Sequence, residues 1–397
     1  MRSLSAADTA ALAVIAAFTA MRIALDAVLG LGVDEAYTLS VAHDLNLSYY
    51  DHPPLQYWIA HVFIPLLGDG RAARLPFVAL FAVSCWLLYR LTQVLFGAAA
   101  GVAALVALNC SAFFTFAGGW LLPDGPLMPA LLATALVLAR RFFAAEAARP
   151  AALGSWLTAG FWLGVAALAK YHAPLFALGL VTFLASTPCG RSEWRRAAPW
   201  LGTLLALLLS LPVIVWNAQH DWISIAYQAG RGRPDGGLHP EYVLANIIGQ
   251  AIWMLPWVFV PLVIASWRAW RAGPSAPRSW YCLCLGLPTI ALFTVTPLWG
   301  QLGLPHWQMP GWLCCTPSSA TTRSARSDPR GCAASGSCSP PSWACSRPSF
   351  SRMRLPATAA SSRRDCLPTV IPRLMRSNGT SCPENCGPAG YCSPGYS

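Results

Sequence analysis

Charge is scarce in this sequence. Only 11% of its 397 residues are Asp, Glu, Lys or Arg, where a soluble globular domain carries about a quarter. With 55% hydrophobic residues and a mean hydropathy of +0.48, the chain cannot cover its own surface with polar groups. That excludes an ordinary water-soluble enzyme. Lysine is nearly missing: Lys170 stands alone, and the other 26 of the 27 basic residues are arginine. Residues 1–313 also lack a Walker loop, a dinucleotide fingerprint, an H-E-x-x-H helix and a C-x-x-C pair, so no standard soluble-enzyme chemistry is signalled. What is plentiful is aromatic surface, with 18 Trp, 16 Phe and 11 Tyr. These need burial, which excludes disorder for most of the chain. An all-α polytopic membrane protein remains.

The averages hide a change of composition after Leu313. Residues 1–313 hold five of the 14 cysteines; 314–397 hold nine, with 17 serines, 11 prolines, 10 arginines and three acids. The tail carries +7 (10 − 3) and leaves +4 (11 − 7) for the body. Such a tail reads as a basic disordered arm, as a disulfide module, or as a shifted reading frame in a GC-rich gene. The third is expected here. The segment CCTPSSATTRSA can be encoded so that moving back one nucleotide reads LLHPLLGDYAER, which continues the apolar helix beginning at Trp307. The expected division is a transmembrane domain over 1–313 and a low-complexity tail without function over 314–397. On this view the net charge of +11 and pI near 9.2 do not argue for an acidic partner, and no nucleic acid is expected.

A helix needs about 20 apolar residues to cross the hydrocarbon core. Runs near 9–29, 73–95, 98–119, 125–143, 153–169, 171–187, 199–217, 243–266 and 280–299 predict nine complete spans. A tenth starts at about 305 and is cut off by the break. The run 55–67 is too short to span and contains Gln56 and His61, so it is expected to lie in the interface as an amphipathic helix. Arginines near the helix ends (Arg2, Arg90, Arg140, Arg141, Arg191, Arg195, Arg196, Arg268, Arg271) fall on one side of this arrangement. Most acids fall on the other, and the positive-inside rule then makes the N-terminus cytoplasmic. Arg22 and Asp26, four apart in the first span, share a face and are expected to neutralise each other.

The outer loop over 32–72 collects Asp34, Glu35, His43, Asp44, Asp51 and His52. An acidic pair after a helix is ordinarily a solvated cap. Here Pro53 and Pro54 stiffen the chain after Asp51-His52, and the interfacial helix pins the loop to the bilayer surface, which suits chemistry on a lipid headgroup. Asp124, between Pro123 and Gly125, reads equally well as a helix N-cap. Lys170 at the end of an apolar run is either a snorkelling residue or a phosphate-binding point charge on the outer face. Arg231 and Arg233 stand in a Gly-rich turn that is either an anion grip or a solvated loop. His306-Trp307 is similarly open.

In order, the motifs DEAY, YYDHPPLQYW, R-x-x-R-L-P, LFG, PDGPL, AKYHAPL, WNAQHDW and PHWQMPGW resemble one superfamily over residues 1–313. It comprises bacterial integral-membrane glycosyltransferases with the type C (GT-C) helical fold, relatives of the dolichyl-phosphate-mannose protein mannosyltransferases and the lipid A aminoarabinose transferases. The resemblance implies a polyprenyl-phosphate sugar donor and a lipid, glycan or protein acceptor. It implies an active site on the outer face of the bacterial inner membrane. Asp34 matches the catalytic carboxylate and would act as general base on the acceptor hydroxyl; Asp124 matches a second acidic position. His52, Lys170, Arg231 and Glu35 are the expected donor-phosphate residues. Asp51 stands where some relatives place an acid near a metal, although a divalent ion is not required for this chemistry. Two other readings are a transporter or flippase, for which no internal repeat is visible, and an inactive remnant of such a transferase.

Overall fold

The computed structural model describes residues 4–145, 150–233 and 237–320, and among them there are helices and loops but no strand. The first helix, α1 (Ala6–Val28), opens on a capping box in which Ser5 and Asp8 satisfy each other's backbone N–H. The long loop then carries two short helices, α2 (Val33–Val41) and α3 (Leu55–Leu67). Beyond it come α4 (Leu75–Phe96), α5 (Ala98–Asn109), α6 (Ala112–Ala117) and α7 (Asp124–Phe143). Next follow α8 (Ala152–Ala169), α9 (Ala173–Ser186), α10 (Pro188–Glu193), α11 (Ala197–Leu209), α12 (Leu211–Gln219) and α13 (Ile223–Gly230). The last four are α14 (Pro240–Met254), α15 (Pro256–Ala272), α16 (Pro277–Val295) and α17 (Met309–Ser319).

Helix α7 is the centre of the bundle. It is buried on nearly every face and packs between α4 and α8. Small residues permit the closest approaches. A Cβ at Gly125 would meet the Phe77 ring of α4 at 2.5 Å, and one at Gly160 of α8 would collide with the backbone of Gly202 on α11. The outer faces of α11 and α15 expose Trp200, Leu204, Leu207, Leu208, Trp257, Trp267 and Trp270, a surface that only lipid would solvate well.

Five helical segments are long and apolar enough to cross a membrane, or seven if each bent pair counts as one span, among the described residues. Of the nine complete spans expected from hydropathy, four runs are not single long helices. The 98–119 run breaks at Cys110 and Ser111 into α5 and α6. Only 14 residues of the 171–187 run are helical, about 21 Å of rise. The 199–217 run bends by 46° between α11 and α12, where Pro212, second in α12, lacks a backbone donor. The sharpest departure is in 243–266, where α14 and α15 meet at 115°. Leu255 has φ +64° there and Pro256 starts the new helix; hydropathy averages do not register either feature. Helix α17 passes through Leu313 without interruption and buries Cys314 and Cys315 before ending at Ser319. The rest of the expected tail, from residue 321, lies outside the described residues.

Buried polar groups tie the start of the chain to this bundle. Arg22 does not pair with Asp26 as its spacing suggested. Its Nη2 donates to Asn109 Oδ1 at 2.7 Å and to the Phe114 carbonyl at 3.0 Å, and its guanidinium sits 4.3 Å from the Phe81 ring centre. Asp26 instead lies 3.7 Å from Arg74. Arg74 is 1% exposed and clasps Glu35 bidentately, Nε to Oε1 at 2.8 Å and Nη2 to Oε2 at 2.5 Å. It also donates to the carbonyls of Asp26, Leu29 and Gly30. This fork joins the end of α1, the start of α2 and the start of α4. Arg74→Ala leaves two carboxylates buried without a cation, and the expected cost is about 3–5 kcal/mol. Thermal unfolding in detergent checks this, with Arg74→Ala/Glu35→Gln expected to recover part of the loss.

Candidate active site

Asp51 and His52 lie in the long loop just before α3, held by side chains from three helices. The Tyr57 hydroxyl donates to both Asp51 oxygens, at 2.9 and 3.0 Å, and the Tyr37 hydroxyl of α2 donates to Oδ1 at 3.2 Å. Gln228 of α13 donates its Nε2 to the Asp51 carbonyl at 2.5 Å. Tyr50 packs against Tyr227 with ring centres 4.7 Å apart. The loop is thus pinned to α2, α3 and α13, and His52 lines a cavity beside them.

The ends of α7, α8 and α9 supply the opposing groups. Asp124 is the first residue of α7, where the helix dipole favours a carboxylate. Lys170 follows the last turn of α8 in extended conformation. Its Nζ donates to Asp124 Oδ2 at 2.7 Å, with the two residues 5% and 2% exposed. A snorkelling role for Lys170 is thereby ruled out. Asp124 Oδ1 and His52 Nδ1 are both buried with no hydrogen-bond partner among the described residues, and buried polar atoms of this kind call for a ligand or water. His172, just before α9, meets the Trp307 carbonyl through Nε2 at 3.0 Å. A carbonyl only accepts, so Nε2 carries the proton. Arg231 donates Nη2 to the Tyr227 hydroxyl at 2.6 Å, and its guanidinium lies 4.7 Å and 5.4 Å from the ring centres of Tyr227 and Trp307. Those two rings fix the direction of a long side chain that a loop alone would leave free.

These groups meet at a cavity of about 310 Å³. His52, Lys170, Gln228 and Arg231 give it polar lining; Leu175, Leu292 and Phe293 give it apolar lining. Burial drives the His52 imidazole from its ordinary 6.5 to about 4, against the pull of Asp51, with Lys170 pushing the same way as burial. His52 is therefore neutral at pH 7 and serves as a hydrogen-bonding group, while the cations in the lining are Lys170 and Arg231. Two cations, a neutral imidazole and an apolar wall suit an anion with an apolar substituent.

Of the residues singled out from sequence, His52, Lys170 and Arg231 line this cavity and Asp124 holds Lys170. Asp34 does not line it. It is exposed, second in α2, and its carboxylate has no partner among the described residues. Tyr37, one turn along α2 from it, donates to Asp51, the neighbour of the cavity-lining His52. Glu35, expected at the donor phosphate, is corrected. Its oxygens accept from Arg74, from the Leu121 N–H at 3.3 Å and from the Gly32 N–H at 2.9 Å, so it is a structural anchor. Asp51, expected near a metal, is held by its neighbours. Two phenols occupy its oxygens, His52 Nε2 is 4.0 Å away, and no group of three His, Cys, Asp or Glu side chains suits a metal among the described residues. Sequence reasoning did not assign Tyr37, Tyr57, His172, Gln228 or Trp307 to the site. All but Gln228 fall inside the quoted motifs, where aromatics beside apolar runs read as packing.

Comparison with known proteins accords with this geometry. Residues 51–216 match the family described as dolichyl-phosphate-mannose-protein mannosyltransferase, a segment that contains His52, Asp124 and Lys170. The fold is similar to ArnT from Cupriavidus metallidurans bound to undecaprenyl phosphate, with a TM-score of 0.61 and 19% identity over 78% of this chain. The same protein in its apo state gives a TM-score of 0.57 and 20% identity over the same share. The chain spans 59% of the length of that protein. No curated protein sequence matches the chain. The chain is thus all-helical among the described residues, has several helices long and apolar enough to cross a membrane, shares the fold of ArnT, and over 51–216 resembles the dolichyl-phosphate-mannose-protein mannosyltransferase family.

Proposed function

We propose that the chain transfers a sugar from a polyprenyl-phosphate donor to an acceptor hydroxyl or phosphate on a lipid, glycan or protein. The observation that carries this reading is the convergence of Lys170, Arg231 and His52 on one cavity with an apolar wall. Those groups match a phosphate joined to an isoprenoid chain, and the similar ArnT binds undecaprenyl phosphate.

In this reading the donor phosphate lies against Lys170 and Arg231. Asp34 takes the proton from the acceptor hydroxyl as the oxygen attacks the anomeric carbon with inversion. The bond from that carbon to the phosphate oxygen breaks, its electrons pass to the phosphate, and the two cations stabilise the charge that develops. Asp124 acts through Lys170 rather than on the sugar: it aims the ammonium and keeps it from snorkelling away. The transfer as written needs no metal. The orientation that agrees with the charge pattern puts the cavity on the outer face of a bacterial inner membrane, with the N-terminus in the cytoplasm. Asp124 begins α7 and Arg140 and Arg141 lie in its last turn, about 25 Å away along the axis. Asp124 and Lys170 are therefore at one end of the bundle's central helix and an arginine pair is at the other.

Three outcomes are expected. In proteoliposomes supplied with a polyprenyl-phosphate sugar, Asp34→Asn lowers turnover by about 10²–10⁴-fold and leaves donor binding intact; unchanged turnover removes Asp34 as the base. Lys170→Met weakens binding of undecaprenyl phosphate and destabilises the fold by stranding Asp124. Asp124→Asn/Lys170→Met restores thermal stability but not binding, which ligand-induced shifts in unfolding temperature measure. The third concerns pH. His52 binds a proton more weakly folded than unfolded, so the unfolded chain takes up more protons between about 6.5 and about 4. Stability falls as pH drops through that window, and His52→Gln flattens this part of the profile in thermal unfolding.

A further inference from the structure

At the far end of the central helix, two arginines stand close together without an ion pair. The Phe77 ring of α4 lies against Gly125 of α7 at the end that holds Asp124. From that contact Arg90 is 13 residues (90 − 77) along α4 and Arg140 is 15 (140 − 125) along α7, about 20 and 22 Å of rise. The two helices pack against each other, so both guanidinium groups arrive at one depth, and the charge of Arg90 acts against that of Arg140.

Nearby acids are already engaged. Arg141, next in α7, takes Glu193: its Nη2 donates to Oε1 at 2.9 Å, and the Trp156 indole donates to Oε2 at 2.9 Å. Asp8 of α1 is near enough for its charge to act on Arg90. Its Oδ1, however, accepts from the Tyr89 hydroxyl at 2.8 Å, and its Oδ2 accepts from the Ser5 N–H at 3.1 Å and the Ser5 hydroxyl at 2.7 Å. Neither Arg90 nor Arg140 has an ion pair among the described residues. Arg90 Nε is buried with no hydrogen-bond partner, and its guanidinium lies 5.5 Å from the Trp86 ring centre. Two cations and one committed carboxylate leave positive charge in excess in partly buried surroundings. Holding them there is costly, and an anion from outside offsets that cost.

The adjoining surface says what kind of anion. Val83, Trp86, Leu87 and Arg90 share one face of α4 by their spacing; Val83 is 49% exposed and the other three are half-buried. Val137, three before Arg140 on α7, is half-buried too. An occupant therefore meets a cationic fork beside an apolar track. A free phosphate would fill the fork and leave the track bare. A zwitterionic headgroup would bring its own ammonium to a place already in positive excess.

We propose that Arg90 and Arg140 hold the phosphate of an anionic phospholipid, with an acyl chain along Val83 and Leu87, in the leaflet opposite the donor cavity. Guanidinium groups suit phosphate because their N–H donors bind its oxygens in pairs. This site does not rest on the transfer reading above. Native mass spectrometry of the full chain, released from nanodiscs with equal phosphatidylglycerol and phosphatidylcholine, tests it. Phosphatidylglycerol is expected to be retained about tenfold over phosphatidylcholine, and Arg90→Gln/Arg140→Gln to lose that preference. Arg140→Gln alone relieves the repulsion between the arginines, so it reports on the site if the double variant unfolds. Asp124→Asn/Lys170→Met, altered at the other end of α7, is expected to keep the preference. Millimolar inorganic phosphate is expected not to displace the lipid. Equal retention of the two lipids, or a preference undiminished in the arginine variants, overturns the proposal. Loss of the preference in Asp124→Asn/Lys170→Met overturns it by moving the lipid to the donor cavity, and displacement by inorganic phosphate overturns it by making the occupant a free anion.

Discussion

An ammonium group buried beside a single carboxylate organises one end of this protein. Lys170 and Asp124 come from the ends of two adjacent helices, and their 2.7 Å contact fixes α7 against α8 where the cavity forms. A buried pair is costly to desolvate and adds little stability by itself. Its value is positional: half of Asp124's hydrogen-bonding capacity is left unused, and Lys170 still lines the cavity. The ammonium is held in place at the cavity wall, where an entering anion can reach it.

Around that pair the structure uses neutral groups to position charged ones. Two phenols hold Asp51, the Asp51 carbonyl receives Gln228, and two rings hold Arg231. A set of buried amides does similar work behind Trp307. Asn246 accepts from Gln250 and Gln308 and donates to the Gly303 carbonyl, and Trp312 donates to Gln250. In an apolar surrounding such a network is strongly directional because every unmade bond is expensive. It fixes the loop that carries Trp307, and through Trp307 the direction of Arg231.

The fold class was legible because it rests on composition: too few charges to solvate a surface, and too many aromatics to leave unburied. The cavity residues were legible where their type was anomalous for its place. A lone lysine ending an apolar run and a histidine before a proline pair both carry that mark. Glu35 was misassigned because sequence distance conceals Arg74, 39 residues on, whose fork uses up its carboxylate. Arg22 and Asp26 were misassigned because helical spacing shows which residues share a face, not which partner from another helix arrives first. Helix breaks at Leu255 and Cys110 escaped hydropathy because backbone turning does not alter mean apolarity.

The account depends on a lipid-linked phosphate entering the cavity beside Lys170. The most direct measurement is a structure of the full chain in nanodiscs with undecaprenyl phosphate bound. The account predicts phosphate density within about 4 Å of both Lys170 Nζ and the Arg231 guanidinium, with the isoprenoid chain along Leu292 and Phe293. Phosphate density away from Lys170, with the Lys170–Asp124 contact closed off from the lipid, would contradict it.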